Sequence, residues 1–82
     1  MVGAAVGPFE TEREAIAASR PVREWPGDWA VGNLAMLAAA CHAAGVELGA
    51  HDARVVEWLS RWEPETCAVI AGLITRAADT RA

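Results

Sequence analysis

Hydrophobic and polar positions recur along this chain at helical spacing, and no stretch shows the two-residue alternation of a half-buried strand. Val55, Leu59 and Trp62 stand at i, i+4 and i+7, Trp58 widens their stripe, and Arg54, Glu57 and Arg61 supply the polar side. Trp29 to Ala44 is apolar almost all round, broken only by Asn33 and His42. Cys67-Ala68-Val69-Ile70-Ala71-Gly72-Leu73-Ile74 is apolar on every face.

Local signals set the limits of four predicted helices. Thr11-Glu12-Arg13-Glu14 fits a capping box, in which hydroxyl and carboxylate satisfy free N–H groups reciprocally. The short first helix carries Ala15 to Ala18 and ends before Pro21, because the proline ring disfavours helical geometry at Arg20. Its only large apolar residues are Phe9 and Ile16, so it reads as a loosely docked flap. Arg20 to Gly27, with Pro21, Pro26 and Gly27, reads as a connector. Asp28 is a good N-cap for a second helix over Trp29 to Ala44. Gly45 suits the left-handed residue after its end, and Val46 stands where a Schellman motif places its apolar contact. An all-round apolar helix is expected to be surrounded by other elements, which puts this one at the centre of the fold. The third helix starts at Gly49 or Asp52. The fourth starts at Pro64, whose missing N–H costs nothing at a first helical position, and runs to about Ala78.

The expected fold is therefore all-α, a small bundle of three main helices plus a short N-terminal helix, ending in an αα-hairpin. Residues 1–82 form a single domain, with 1–8 and 79–82 expected to be flexible. Eighty-two residues fall below the usual domain size of about 100–150. A chain this short leaves a thin stability margin, which small domains often supplement with a disulfide, a metal or a second copy.

Composition adds compartment and partner class. The chain is 54% hydrophobic and carries a net charge of −4. All seven basic residues are Arg, and 19 residues are Ala. No basic, then apolar leader opens the chain, and the longest apolar stretch is shorter than the roughly 20 residues that span a bilayer. Two cysteines, Cys41 and Cys67, are too few and too far apart for a disulfide framework, which reads as reduced thiols in a cytoplasmic protein.

The candidate chemistry is sparse. The two helices joined through Trp62-Glu63-Pro64-Glu65 have the outline of a helix-turn-helix DNA reader. Its reading positions would be Thr66, Cys67, Ala68 and Ile70, its turn is acidic, and the net charge is negative where a basic patch is needed. Cys41, His42, His51 and Cys67 make a two-Cys, two-His set, but zinc ligands come in spaced pairs, and adjacent Cys41 and His42 point about 100° apart on a helix. A nucleophilic cysteine needs a base within reach, and none faces Cys41 or Cys67. No catalytic residues, cofactor or metal are expected. Eleven carboxylates, interleaved with Arg, lack the dense array of a DNA mimic.

Four Trp beside one Phe and no Tyr form the unusual feature. They fill a core otherwise made of small Ala, or they stand exposed as binding anchors, Trp and Arg being enriched in hot spots; Arg61 and Arg23-Glu24 would then form a polar rim. The pattern W-E-P-x-T-C-A-V-I-x-G-L-I over Trp62 to Ile74 resembles short uncharacterised proteins of high-GC actinobacteria and their phages or mobile elements. The resemblance covers roughly the last 35 residues. It implies a source and a mobile-element setting, and brings no activity or site residues with it.

The functional expectation is a small protein-interaction or regulatory module that self-associates, with a helix-turn-helix regulator as the alternative. Leaving an Ile or Leu in water forgoes roughly 1.5–3 kcal/mol each, and Val69, Ile70, Leu73 and Ile74 cover more of the fourth helix than one stripe requires. A homodimer with fourth helices facing each other follows, its interface formed by Trp58, Trp62, Val69 and Leu73. A host or phage protein is the other candidate partner; nucleic acid and membrane are not expected.

Overall fold

The computed structural model describes residues 6–81, and everything that follows concerns them. Five helices succeed one another: α1 (Glu12–Ala18), α2 (Arg20–Arg23), α3 (Trp29–Ala43), α4 (Ala50–Leu59) and α5 (Pro64–Arg81). No strand occurs among the described residues, so the all-α expectation holds.

The caps account for most boundaries. Thr11 Oγ1 accepts from the Glu14 N–H at 3.2 Å, and the Glu14 carboxylate accepts from the Thr11 N–H at 3.3 Å, closing the predicted box. Asp28 Oδ1 accepts from the Ala30 N–H at 3.0 Å and opens α3. At the far end the Gly45 N–H donates to the His42 carbonyl and the Val46 N–H to the Cys41 carbonyl, the two bonds of a Schellman motif, with Gly45 at φ 76°. Gly49 caps α4 while the Asp52 carboxylate accepts from its N–H at 3.0 Å, which decides between the two candidate caps.

Three boundaries depart from the sequence reading. The connector after Ser19 contains a helical turn, α2, because Pro21 falls at its start, where no N–H is needed. Helix α5 continues to Arg81 instead of ending near Ala78. Part of the stretch expected to be flexible at the start, Val6 to Pro8, lies against α5: a Cβ at Gly72 would come 2.7 Å from the Val6 carbonyl oxygen and one at Gly7 2.8 Å from the Arg76 guanidinium. Residues 1–5 and 82 of those expected flexible ends lie outside the described residues.

Helices α3 and α5 form the centre, with α1 on the other side of α5 and α4 along α3. Leu37, Ala40, Cys67 and Ala71 make the buried cluster, and Met36, Val56, Leu59, Ile70 and Ile74 pack around it. Contrary to expectation, α3 is not surrounded. Asn33, Leu37, Ala40 and Cys41 are buried at helical spacing, while Val31, Leu34, Ala35, Ala38 and Ala39 are exposed. With this little chain, only one stripe of an all-apolar helix finds cover.

Two polar devices hold the elements in place. Asn33, fully buried, donates its amide to the Ser60 and Trp62 carbonyls, each at 2.8 Å, and so closes the turn between α4 and α5. Arg23 joins α2 to α3, α5 and the junction after α1: its Nε donates to Ser19 Oγ at 3.1 Å, its guanidinium pairs with Glu65, and it lies 5.3 Å from the centre of the Trp29 ring.

Candidate interaction surfaces

The core is filled without tryptophan. Trp25, Trp29, Trp58 and Trp62 are 55%, 43%, 56% and 48% exposed, so none is buried. Helix α4 turns Val56 and Leu59 inward and leaves Val55 and Trp58 outward. Trp62 lies one turn past Trp58, and the two indoles meet edge to face with centroids 5.8 Å apart at 73°. The result is an exposed apolar ridge, Val55–Trp58–Trp62. Arg54 and Arg61 adjoin Val55 and Trp62 in sequence and are exposed, and neither forms an ion pair among the described residues. Arg61 also lines a shallow cleft with Asp28 and Trp29, so the ridge adjoins the start of α3.

The other two predicted interface residues lie elsewhere. Val69 and Leu73 floor an open groove of about 480 Å³ between α5 and the segment leading into α1. Phe9 and Ala15 complete the apolar floor, Glu10 and Glu12 stand at the groove, and Arg76 lines it too. No residue of α4 lines it. Phe9 comes from the segment read as a flap, and it supplies within the chain part of the cover expected from a second copy: a Cβ at Gly72 would come 3.2 Å from its ring. Leu73 stays 53% exposed. The four nominated residues are thus brought into two surfaces, an exposed ridge and an open groove, and not into one patch. Sequence periodicity could not separate them, because which side of α5 the segment before α1 would cover is a tertiary choice. Glu10, Glu12 and Arg76 carried no sequence signal of their own.

The cysteine and histidine set is dispersed. Cys41 and Cys67 are buried, whereas His42 and His51 are exposed near the helix ends that face the loop between α3 and α4. Among the described residues no group of three or more His, Cys, Asp or Glu is placed to hold a metal. The Cys67 Sγ donates to the Leu59 carbonyl at 3.4 Å, and burial, then the carboxylates of Glu63 and Glu65, push its pKa above the ordinary thiol value. Those are the conditions of a packing thiol, the reverse of an activated nucleophile.

The start of α5, where a DNA reader would present side chains, is turned inward. Pro64, Cys67 and Ala68 are buried, and Glu65 is tied to Arg23. No described helix is long and apolar enough to cross a membrane. Comparison with models of known families, with curated proteins and with solved structures finds no match to the chain.

Proposed function

We propose that this chain is a small, non-catalytic protein-interaction module of the cytoplasm that self-associates. The observation that carries the reading is the exposure of all four tryptophans, between 43% and 56%, in a domain whose core contains none of them. Half-exposed indoles beside arginines are what binding hot spots are made of. Val31, Leu34, Val55 and Leu73 add exposed apolar area on α3, α4 and α5. The helix-turn-helix alternative has less behind it, since the first turn of α5 is committed to the core and to Arg23.

Light scattering from micromolar to several hundred micromolar protein tests the reading. Mass rising with concentration above that of the 8.7 kDa chain is expected. A constant 8.7 kDa across that range refutes self-association.

A further inference from the structure

We infer that the occupant of the groove between α5 and the Phe9 segment is the Val55–Trp58–Trp62 ridge of a second copy, giving a head-to-tail contact and not a two-fold one. This rests on the self-association reading above and specifies how it is built. Three observations point to it. The first is apolar exposure: Val55, Trp58 and Trp62 are 46–56% exposed, while the groove is open, apolar-floored and, at about 480 Å³, within the roughly 300–1,000 Å³ range of ligand sites. The second is charge. Arg54 and Arg61 adjoin the ridge in sequence and have no carboxylate partner among the described residues; Glu10 and Glu12 line the groove and have no basic partner among them. Seating the ridge brings the two sets together, with Glu57 available to Arg76. Pairing ridge with ridge, or groove with groove, would instead keep Arg54 and Arg61 away from Glu10 and Glu12. The third is separation. The groove is lined by α1, α5 and the segment before α1, and the ridge belongs to α4 and the turn after it, so a chain cannot fill its own groove with its own ridge.

A ridge on one face and a groove on another make a heterologous contact, which repeats into a ring or an open series instead of stopping at a dimer. Growth past the dimer separates it from a two-fold contact in which each ridge enters the other copy's groove, since that contact stops at two chains. Trp58→Glu removes the ridge and leaves the groove; Leu73→Glu removes the groove and leaves the ridge. Both positions are more than half exposed, so each variant is expected to keep the wild-type circular dichroism.

The experiment is light scattering on the wild type, on each variant and on their equimolar mixture. The wild type is expected to grow past the dimer with concentration, each variant alone to stay at 8.7 kDa, and the mixture to form a dimer of twice that mass through its one intact ridge and one intact groove. A second pair acts through exposed charge and leaves the apolar contacts in place, its helicity checked by circular dichroism: Arg54→Glu with Arg61→Glu, mixed with Glu10→Arg and Glu12→Arg. Each of these doubles should lose assembly alone and regain it together. A wild type that stops at two chains, or that assembles while either single variant still assembles or both mixtures stay monomeric, overturns the head-to-tail contact and leaves self-association standing. A wild type that never leaves 8.7 kDa overturns the self-association reading itself.

Discussion

Replacing Asn33 should damage this fold more than any other polar substitution, and the way it fails depends on the replacement. The amide is fully buried and its nitrogen donates to two carbonyls, Ser60 and Trp62, at 2.8 Å each. Carbonyls only accept, so the nitrogen must face them, and the amide oxygen is left with no partner among the described residues. Asn33→Ala deletes two hydrogen bonds worth about 1 kcal/mol each and exposes a buried carbonyl to a desolvation penalty of about 1–3 kcal/mol. Together that is about 3–5 kcal/mol, or roughly 12–40 °C of melting temperature in a domain this small.

Asn33→Asp is nearly isosteric and tests the geometry more sharply. An ionised carboxylate would put oxygen against two carbonyl oxygens in a buried site, so the aspartate must be protonated in the folded state, with a pKa raised above its unfolded value of about 3.9. For a raised pKa the stability is present below the unfolded pKa and lost as pH rises through the folded one. The variant should therefore approach Asn33→Ala in stability near pH 4 and fall further behind wild type at pH 7, by up to about 1.4 kcal/mol per pH unit until it ionises or unfolds. Urea titrations followed by far-ultraviolet circular dichroism at pH 4, 5.5 and 7 read this directly. If Asn33→Asp stays within about 0.5 kcal/mol of wild type at pH 7, the amide is not what closes the turn, since surface substitutions alone stay within that range.

Gly72→Ala should leave global stability nearly unchanged, because about 1 kcal/mol of helix propensity offsets the push of its Cβ against the Val6 carbonyl and Phe9. Cleavage after Glu10 or Glu12 by a glutamate-specific protease should nevertheless accelerate; an unchanged rate would mean that the N-terminal segment does not rest on Gly72. Arg23→Ala and Glu65→Gln should show a coupling of about 1–2 kcal/mol in a double-mutant cycle, as expected for a half-buried pair in one network, and additive effects would refute the pairing. The Cys67 pKa is raised above its ordinary value, so its contribution is present below the unfolded thiol's pKa and declines as pH climbs through the folded one. The urea midpoint of the wild type should thus fall more steeply above about pH 8.5 than that of Cys67→Ala; parallel slopes would show that the thiol is not desolvated.

Capping chemistry was legible in the sequence because it is local. Thr11 with Glu14, Asp28, Gly45 with Val46, and Pro64 act within four residues, and each marks a helix end in the fold. Pro21 misled for the opposite reason: the same ring that ends α1 starts α2, and proximity alone does not choose between ending one helix and opening the next. The failures concerning burial are of another kind. Trp29 to Ala44 was expected to be surrounded because it is apolar throughout, yet cover depends on how much chain is left to supply it, and the rest of the domain covers only one stripe. Asn33 looked like an interruption in that run and proved to be its most buried polar group, since its partners lie 27 and 29 residues away. The candidate site divided in the same way. Val69 and Leu73 were visible as surplus apolar residues, but Glu10, Glu12 and Arg76 become a groove only once the segment before α1 is laid against α5.

The tryptophans connect these points to function. A core of Leu37, Ala40, Cys67 and Ala71 with a few partly covered neighbours is small, and a domain of this size has little stability in reserve. Placing all four of its largest apolar side chains at the surface forgoes burial that could have strengthened that core. The sacrifice is understandable if the indoles gain their cover on assembly, in which case folding and association are linked. Anything that binds only the folded state stabilises it by mass action. The melting temperature should then rise with protein concentration in the wild type and stay flat in Trp58→Glu, whose ridge cannot seat. A wild-type melting temperature independent of concentration from about 5 to 500 μM would separate the two processes, because self-association in that range must register as added stability.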